Sequence, residues 1–386
     1  MQFSLTAHSD SPKAARMAVS AFFFVQGLSF ASWASRIPDI KTRLGLSEGE
    51  LGSVLFALPV GLMVSLPLSG WLVSKYGSRK MVVLGALLYA FTLIFIGLSS
   101  TVTQLVASLF VFGIWSNLTN IAVNTQAVGV ENMYGRSVMA SFHGLWSLAG
   151  FVGALIGSYL ITQQVSPYTH FSFIVLLACV IVFLFYKNTV QVESGAQDNQ
   201  PVFVKPDREL LLLGLIGFCA MVCEGAMFDW SGVYFQKAVH VPAAQATLGY
   251  VAFMATMTGG RFMADWLVNK MGKKIMLQAS GLIIGTGLLI SVLFPYLIPA
   301  TIGFLLVGFG VSFTVPLVYS AAGKSKTMSP GMALAAVSSI SFLGFLIGPP
   351  LIGHLAEIAS IRWAFAVVAV LGSCTTLLVS RARLIR

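Results

Sequence analysis

The chain is predicted to be an all-α integral membrane protein, with twelve transmembrane helices forming two six-helix bundles. Three observations predict this: the composition, a regular succession of apolar runs, and an internal repeat. Hydrophobic residues make up 57% of the 386 positions and charged residues 9%, whereas a soluble domain carries about 25% charged residues. Apolar runs fall at 16–34, 50–73, 81–100, 103–130, 136–162, 170–187, 209–236, 246–268, 275–294, 299–322, 332–356 and 361–380. Crossing about 30 Å of hydrocarbon takes roughly 20 residues, and only a helix satisfies its own backbone over such a length. The first run follows a short polar tail without a cleavage site and is read as retained.

The net charge of +10 invites a nucleic-acid reading, which its distribution excludes. With the N-terminus placed inside and the loops assigned alternately, 17 of the 23 Lys and Arg residues fall on the cytoplasmic side. That asymmetry predicts two cytoplasmic termini and makes the basic charge a matter of topology. Cys179, Cys219, Cys223 and Cys374 all fall within spans and read as small apolar packing residues. The polar stretch 187–209, with Pro201 and Pro206, divides the spans six and six. It is read as a cytoplasmic linker between an N-terminal bundle, 1–186, and a C-terminal bundle, 210–386.

The halves match in order. Trp33 and Trp230 are 197 residues apart, as are Leu51-Gly52 and Leu248-Gly249. The loops ending Lys75-Tyr-Gly77-Ser-Arg79-Lys80 and Lys270-Met-Gly272-Lys-Lys274 are offset by 195. A parallel repeat of six spans is an arrangement that transporters use.

The stretch GWLVSKYGSRK, 70–80, resembles the loop motif of the major facilitator superfamily between its second and third helices: a Gly, an Asp four residues later, then Gly and basic residues. This chain has Ser74 at the Asp position and Asn269 at the matching place in the second half. The resemblance implies a gating role for Ser74, Lys75, Gly77 and Arg79, with part of the missing acid's role taken by Asp265 in GRFMADW, 260–266. More narrowly, ASWASRIPDI (31–40), HGLWSLAG (143–150), EGAMFDW (224–230) and FLIGPPLIGHL (345–355) resemble the YbjJ-like bacterial inner-membrane branch, related to the fucose-permease group. The resemblance implies a multi-pass protein of the bacterial inner membrane.

The residues that could carry chemistry are polar groups at membrane depth. Glu224 and Asp229, with Trp230 beside them, lie inside an apolar run. A carboxylate there is costly unless paired, hydrated or protonated, so both are candidates for proton coupling. A structural ion pair is the plainer reading. Gln26, Ser29, Trp33 and Arg36 are spaced by three, four and three and share one helical face. That face lines a solute path or glues helices together. Arg36 pairs with Asp229 or snorkels to water.

Asn117, Asn120 and Asn124 form a second such face, whose uncharged donors and acceptors suit a hydroxyl-rich solute. Fucose-permease relatives tend to have a Glu where Asn120 falls, which implies that the titrating group here is Glu224. Gln126 lies off that face and reads as structural. His143 is a buried proton-relay candidate, since imidazole titrates near pH ~6.5, while Trp146 joins Trp33, Trp230 and Tyr319 as an aromatic candidate for holding the solute. Gly150, Gly153 and Gly157 read as a close helix approach. Arg261, with Asp265 at i+4, reads as a gating ion pair. Thr314, Pro316 and Tyr319, and Gly348-Pro349-Pro350, are expected to interrupt their helices beside the binding site.

There is no P-loop, HExxH or GxSxG pattern and no metal-type clustering, so no enzyme activity and no cofactor is expected. With no nucleotide motif to drive it, the reading is a secondary transporter that moves a sugar, amino sugar or cell-wall glycan fragment by alternating access with proton coupling. Its expected partners are a small solute, protons and membrane lipids, with the chain working as a monomer. The rival readings are a proton-driven exporter of amphiphilic compounds and a transport-dead membrane sensor.

Overall fold

The computed structural model describes residues 11–135, 138–190, 206–322, 324–325, 327, 330–382 and 384–385, without the side chains of Ala140, Asp265, Pro330, Gly331, Met332 and Ala335. The first seven helices are α1 (Pro12–Leu44), α2 (Glu48–Leu55), α3 (Ala57–Tyr76), α4 (Ser78–Leu98), α5 (Val102–Tyr134), α6 (Met139–Thr162) and α7 (Pro167–Phe185). After the linker come α8 (Arg208–Lys237), α9 (Leu248–Met271), α10 (Lys273–Leu293), α11 (Leu297–Ala322), α12 (Pro330–Ile358) and α13 (Ile361–Arg381). Eleven segments of the described residues are long and apolar enough to cross a membrane, with α2 and α3 counted as one.

The chain groups into two compact units. One holds the residues up to Arg36 and from Ala57 to the linker; the other holds Ile37–Phe56 and everything after the linker. The stretch 37–56 falls in the second because α2 packs on α12. There Gly52 admits the Pro349 carbonyl and Gly353 so closely that a side chain would collide with backbone.

Within the units the repeat appears as matched packing. In the first, α3 and α4 pack on α5, and α4 packs on α7; in the second, α9 and α10 pack on α11, and α10 packs on α13. Gly77 and Gly272, 195 positions apart, end α3 and α9 with φ of +83° and +82°. That backbone region strains any residue with a Cβ, which explains a glycine at both turns. The crossings agree as well. A methyl group on Gly113 would overlap the Leu58 carbonyl oxygen, and one on Gly308 would overlap that of Phe253, again 195 positions on. At a third such pair the halves part company: Gly61 lies against the Phe110 carbonyl, while Thr256 donates a 2.6 Å hydrogen bond to the Leu305 carbonyl.

Three expectations change. The first span continues to Leu44 through Pro38 instead of ending near 34. The second is split at Phe56, because Pro59 has no N–H for the Leu55 carbonyl. Pro316, Pro349 and Pro350 do not interrupt their helices: α11 and α12 run through them. A proline deletes one ladder bond, and the flanking turns carry the helix across the gap.

The start of the linker is tied down by Gln126, in keeping with a structural role. Its carboxamide oxygen accepts from the Val190 backbone N–H at 2.6 Å, and its nitrogen donates to the Val190 carbonyl and, at 2.7 Å, to Ser78 Oγ. Gln126 and Val190 are buried. In Gln126→Leu both backbone groups of Val190 lose their partner, and each buried orphan costs about 1–3 kcal/mol. A clear fall in the apparent melting temperature of the purified protein is expected; an unchanged melting curve would mean that the linker start is not held here.

Candidate functional site

In the first unit, α1 presents two faces. Gly27, Ala31 and Ser35 lie against α6, where Gly27 meets the Trp146 carbonyl, Gly153 meets Ala31 and Gly157 meets Ser35. The close helix approach expected of Gly153 and Gly157 is therefore present. Gln26, Ser29, Trp33 and Arg36 fall on the opposite side, as helical geometry requires of their spacing. All four are buried. The Ser29 hydroxyl and the Trp33 indole N–H have no hydrogen-bond partner among the described residues, and neither has the Asn117 amide nitrogen on α5.

Asn124 donates to the Asn120 backbone carbonyl at 2.8 Å and to its side-chain oxygen at 2.9 Å. Of the three carboxamides, Asn117 is the one whose amide nitrogen is fully buried with no partner among the described residues.

Arg36 does not snorkel to water, one of the two fates its place in the sequence allows. Arg36, 1% exposed, donates its Nε–H to His170 Nδ1 at 3.1 Å. His170, on α7, is buried and must be neutral to accept that bond, and its Nε2 has no partner among the described residues. His170 escaped the sequence reading because the two residues are 134 positions apart and no periodicity links them. His143 is exposed, not buried, and stands edge-on to Phe23 at 5.2 Å. It lies in the second turn of α6, where solvent reaches it. Trp146 is half-buried, 6.1 Å from Phe30.

In the second unit the two acids of α8 have opposite surroundings. Glu224 is 5% exposed, and its Oε1 lies 3.3 Å from Arg261 Nη2 on α9. Arg261 thus pairs with Glu224; the side chain of Asp265, its expected i+4 partner, lies outside the described residues. Asp229 is half-buried and has no hydrogen-bond or ionic partner among the described residues. One turn on, Gly232 receives the Pro38 ring, with no room for a side chain between them. The Trp230 indole N–H, the Ser231 hydroxyl and the Tyr319 hydroxyl also have no hydrogen-bond partner among the described residues.

The residues of the loop motif make local contacts. Ser74 and Lys75 are exposed, Gly77 makes the turn, and Arg79 donates to the Lys187 carbonyl at 3.0 Å. Glu131, which the sequence reading passed over, accepts from the backbone N–H groups of Val138 and Met139 at 2.9 and 3.1 Å and so caps α6.

The Major Facilitator Superfamily model matches residues 18–328. An uncharacterized MFS-type transporter of Yersinia pestis is 35% identical over 349 residues, covering 90% of this chain and 91% of its own. Among solved structures, the nucleoside transporter NupG superposes with a TM-score of 0.79 at 11% identity, over 96% of this chain and 100% of that one. The Escherichia coli fucose:proton symporter FucP superposes with a TM-score of 0.63 at 17% identity, over 95% of this chain and 98% of that one. With the repeat, the membrane-crossing helices and a family match over most of its length, the chain belongs to the Major Facilitator Superfamily of transporters.

Proposed function

We propose that the chain is a proton-coupled secondary transporter of a polar, sugar-like solute: a sugar, an amino sugar or a cell-wall glycan fragment. It works by alternating access of two six-helix bundles, as a monomer in the bacterial inner membrane with both termini cytoplasmic. The motifs at 31–40, 143–150, 224–230 and 345–355 support placing it in the YbjJ-like branch.

The observation that carries the solute reading is the set of buried donors without partners: Ser29, Trp33 and Asn117 in the first unit, Trp230 and Tyr319 in the second. A buried donor left unmatched costs about 1–3 kcal/mol, and a hydroxyl-rich solute relieves that cost. An amphiphile offers those groups little. The two indoles also provide flat apolar faces on which a sugar ring can lie.

For coupling, Glu224 and Arg261 supply a switch. A proton on Glu224 removes the charge that holds the Arg261 fork and frees Nη2 for the solute; loss of the proton restores the pair. Asp229 is a second acid able to take part.

The test is uptake of labelled sugars into proteoliposomes of the purified protein under an imposed pH gradient. Unlabelled sugars or amino sugars are expected to compete and hydrophobic cations are not. Competition by the cations alone would reassign the protein as an exporter of amphiphiles, and binding without turnover would make it a sensor.

A further inference from the structure

The two loops that carry the repeat have a feature that gating does not use. Residues 71–77 read Trp-Leu-Val-Ser-Lys-Tyr-Gly and residues 266–272 read Trp-Leu-Val-Asn-Lys-Met-Gly. Both tryptophans are exposed, Trp71 at 51% near the end of α3 and Trp266 at 59% near the end of α9. Each carries a lysine on its ring: Lys75 Nζ lies 4.5 Å from the Trp71 centroid, and Lys270 Nζ lies 5.3 Å from that of Trp266. An indole open to lipid settles at headgroup depth. The lysine stacked on it is held at that depth too, with donors to spare.

Neither lysine has a hydrogen bond or ion pair among the described residues. The next helix adds an equally unpaired cation in its first turn, Lys80 or Lys274. Their neighbours are spent: Arg79 on the Lys187 carbonyl and Lys273 on Ser320 Oγ at 2.7 Å. Counter-charge in the chain is scarce. No acid occurs between Glu50 and Glu131, and Asp265 stands beside Trp266 in the second loop.

We propose that the two loops form a matched pair of binding sites for the phosphate headgroup of an acidic phospholipid, one in each half. The phosphodiester lies between the stacked lysine and the cation of the next helix, Lys75 with Lys80 and Lys270 with Lys274. The acyl chains run down beside the indole. The ligand is a lipid and not a soluble phosphate because the tryptophan fixes the lysine at the depth where lipid phosphates lie. The proposal is independent of which solute is carried.

Native mass spectrometry of the delipidated protein, titrated with phosphatidylglycerol and phosphatidylcholine in parallel, tests this. The protein is expected to retain phosphatidylglycerol in preference, with up to two lipids held tightly. One lysine near an anionic headgroup is worth about 1 kcal/mol, or roughly fivefold in affinity. Lys75→Gln and Lys270→Gln should each weaken one site by about that factor, and the double variant should lose the preference. Lys75→Arg with Lys270→Arg keeps the charge and should keep binding, which separates loss of charge from damage to the fold. Equal retention of the two lipids by the native protein would overturn the proposal. So would a preference that survives in the double glutamine variant, or one abolished by soluble glycerol phosphate.

Discussion

Glu224→Gln is expected to leave solute exchange intact and to abolish accumulation driven by a proton gradient. The amide has nearly the size of the protonated acid and the same lack of charge, so the packing survives and Arg261 Nη2, 3.3 Å from Oε1 in the ion pair, stays in the released state. It cannot gain or lose a proton across the working pH range, so the pair no longer responds to the gradient. Glu224→Ala removes the oxygen as well and strands a buried guanidinium. Breaking such a pair from one side costs about 3–5 kcal/mol, so this variant should be poorly stable and inactive in both assays. Glu224→Gln combined with Arg261→Gln leaves neither charge of the pair, so it should be more stable than Glu224→Ala, with coupling still lost. Measured as accumulation against exchange in the same vesicles, full accumulation by Glu224→Gln would take the proton away from this residue. Asp229 would then be the acid to replace next.

The second large effect is structural. Gly113→Val should destabilise the first unit, and Gly308→Val the second, because each new side chain meets the backbone oxygen of a crossing helix, Leu58 or Phe253. A flexible side chain could turn aside; a carbonyl in a helix ladder cannot. Overpacking typically costs about 1–3 kcal/mol, and the immobility of the obstacle puts these two at the upper end. Gly259→Ala, at a helical position with open space around it, serves as the control and should be neutral or slightly stabilising. Melting curves of the purified variants decide this. A Gly113→Val protein as stable as Gly259→Ala would show that the crossing yields.

The two-part membrane fold was legible because its signals are local or periodic: apolar run lengths, basic loops and the 195-residue offset that sets Gly77 against Gly272. Placing Gln26, Ser29, Trp33 and Arg36 on one face needed only helical spacing. What the sequence does not show is distant partnership. Depth suggests Asp229 or water for Arg36, and i+4 spacing suggests Asp265 for Arg261. The structure joins Arg36 to His170 and Arg261 to Glu224, over 134 and 37 positions. Nothing in one sequence ranks such distant pairs, because helix rotation and crossing angle decide them. The prolines misled for a different reason: a missing ladder bond bends a helix more often than it ends one, and α11 and α12 absorb theirs.

The third crossing pair carries a lesson about descent. Where one half sets bare backbone against a carbonyl at Gly61 and Phe110, the other spans the gap with a hydroxyl, from Thr256 to Leu305. A duplicated ancestor would have used one solution twice. The halves have since diverged at this crossing, so that each carries its own joint and neither side of one joint would serve in the other half.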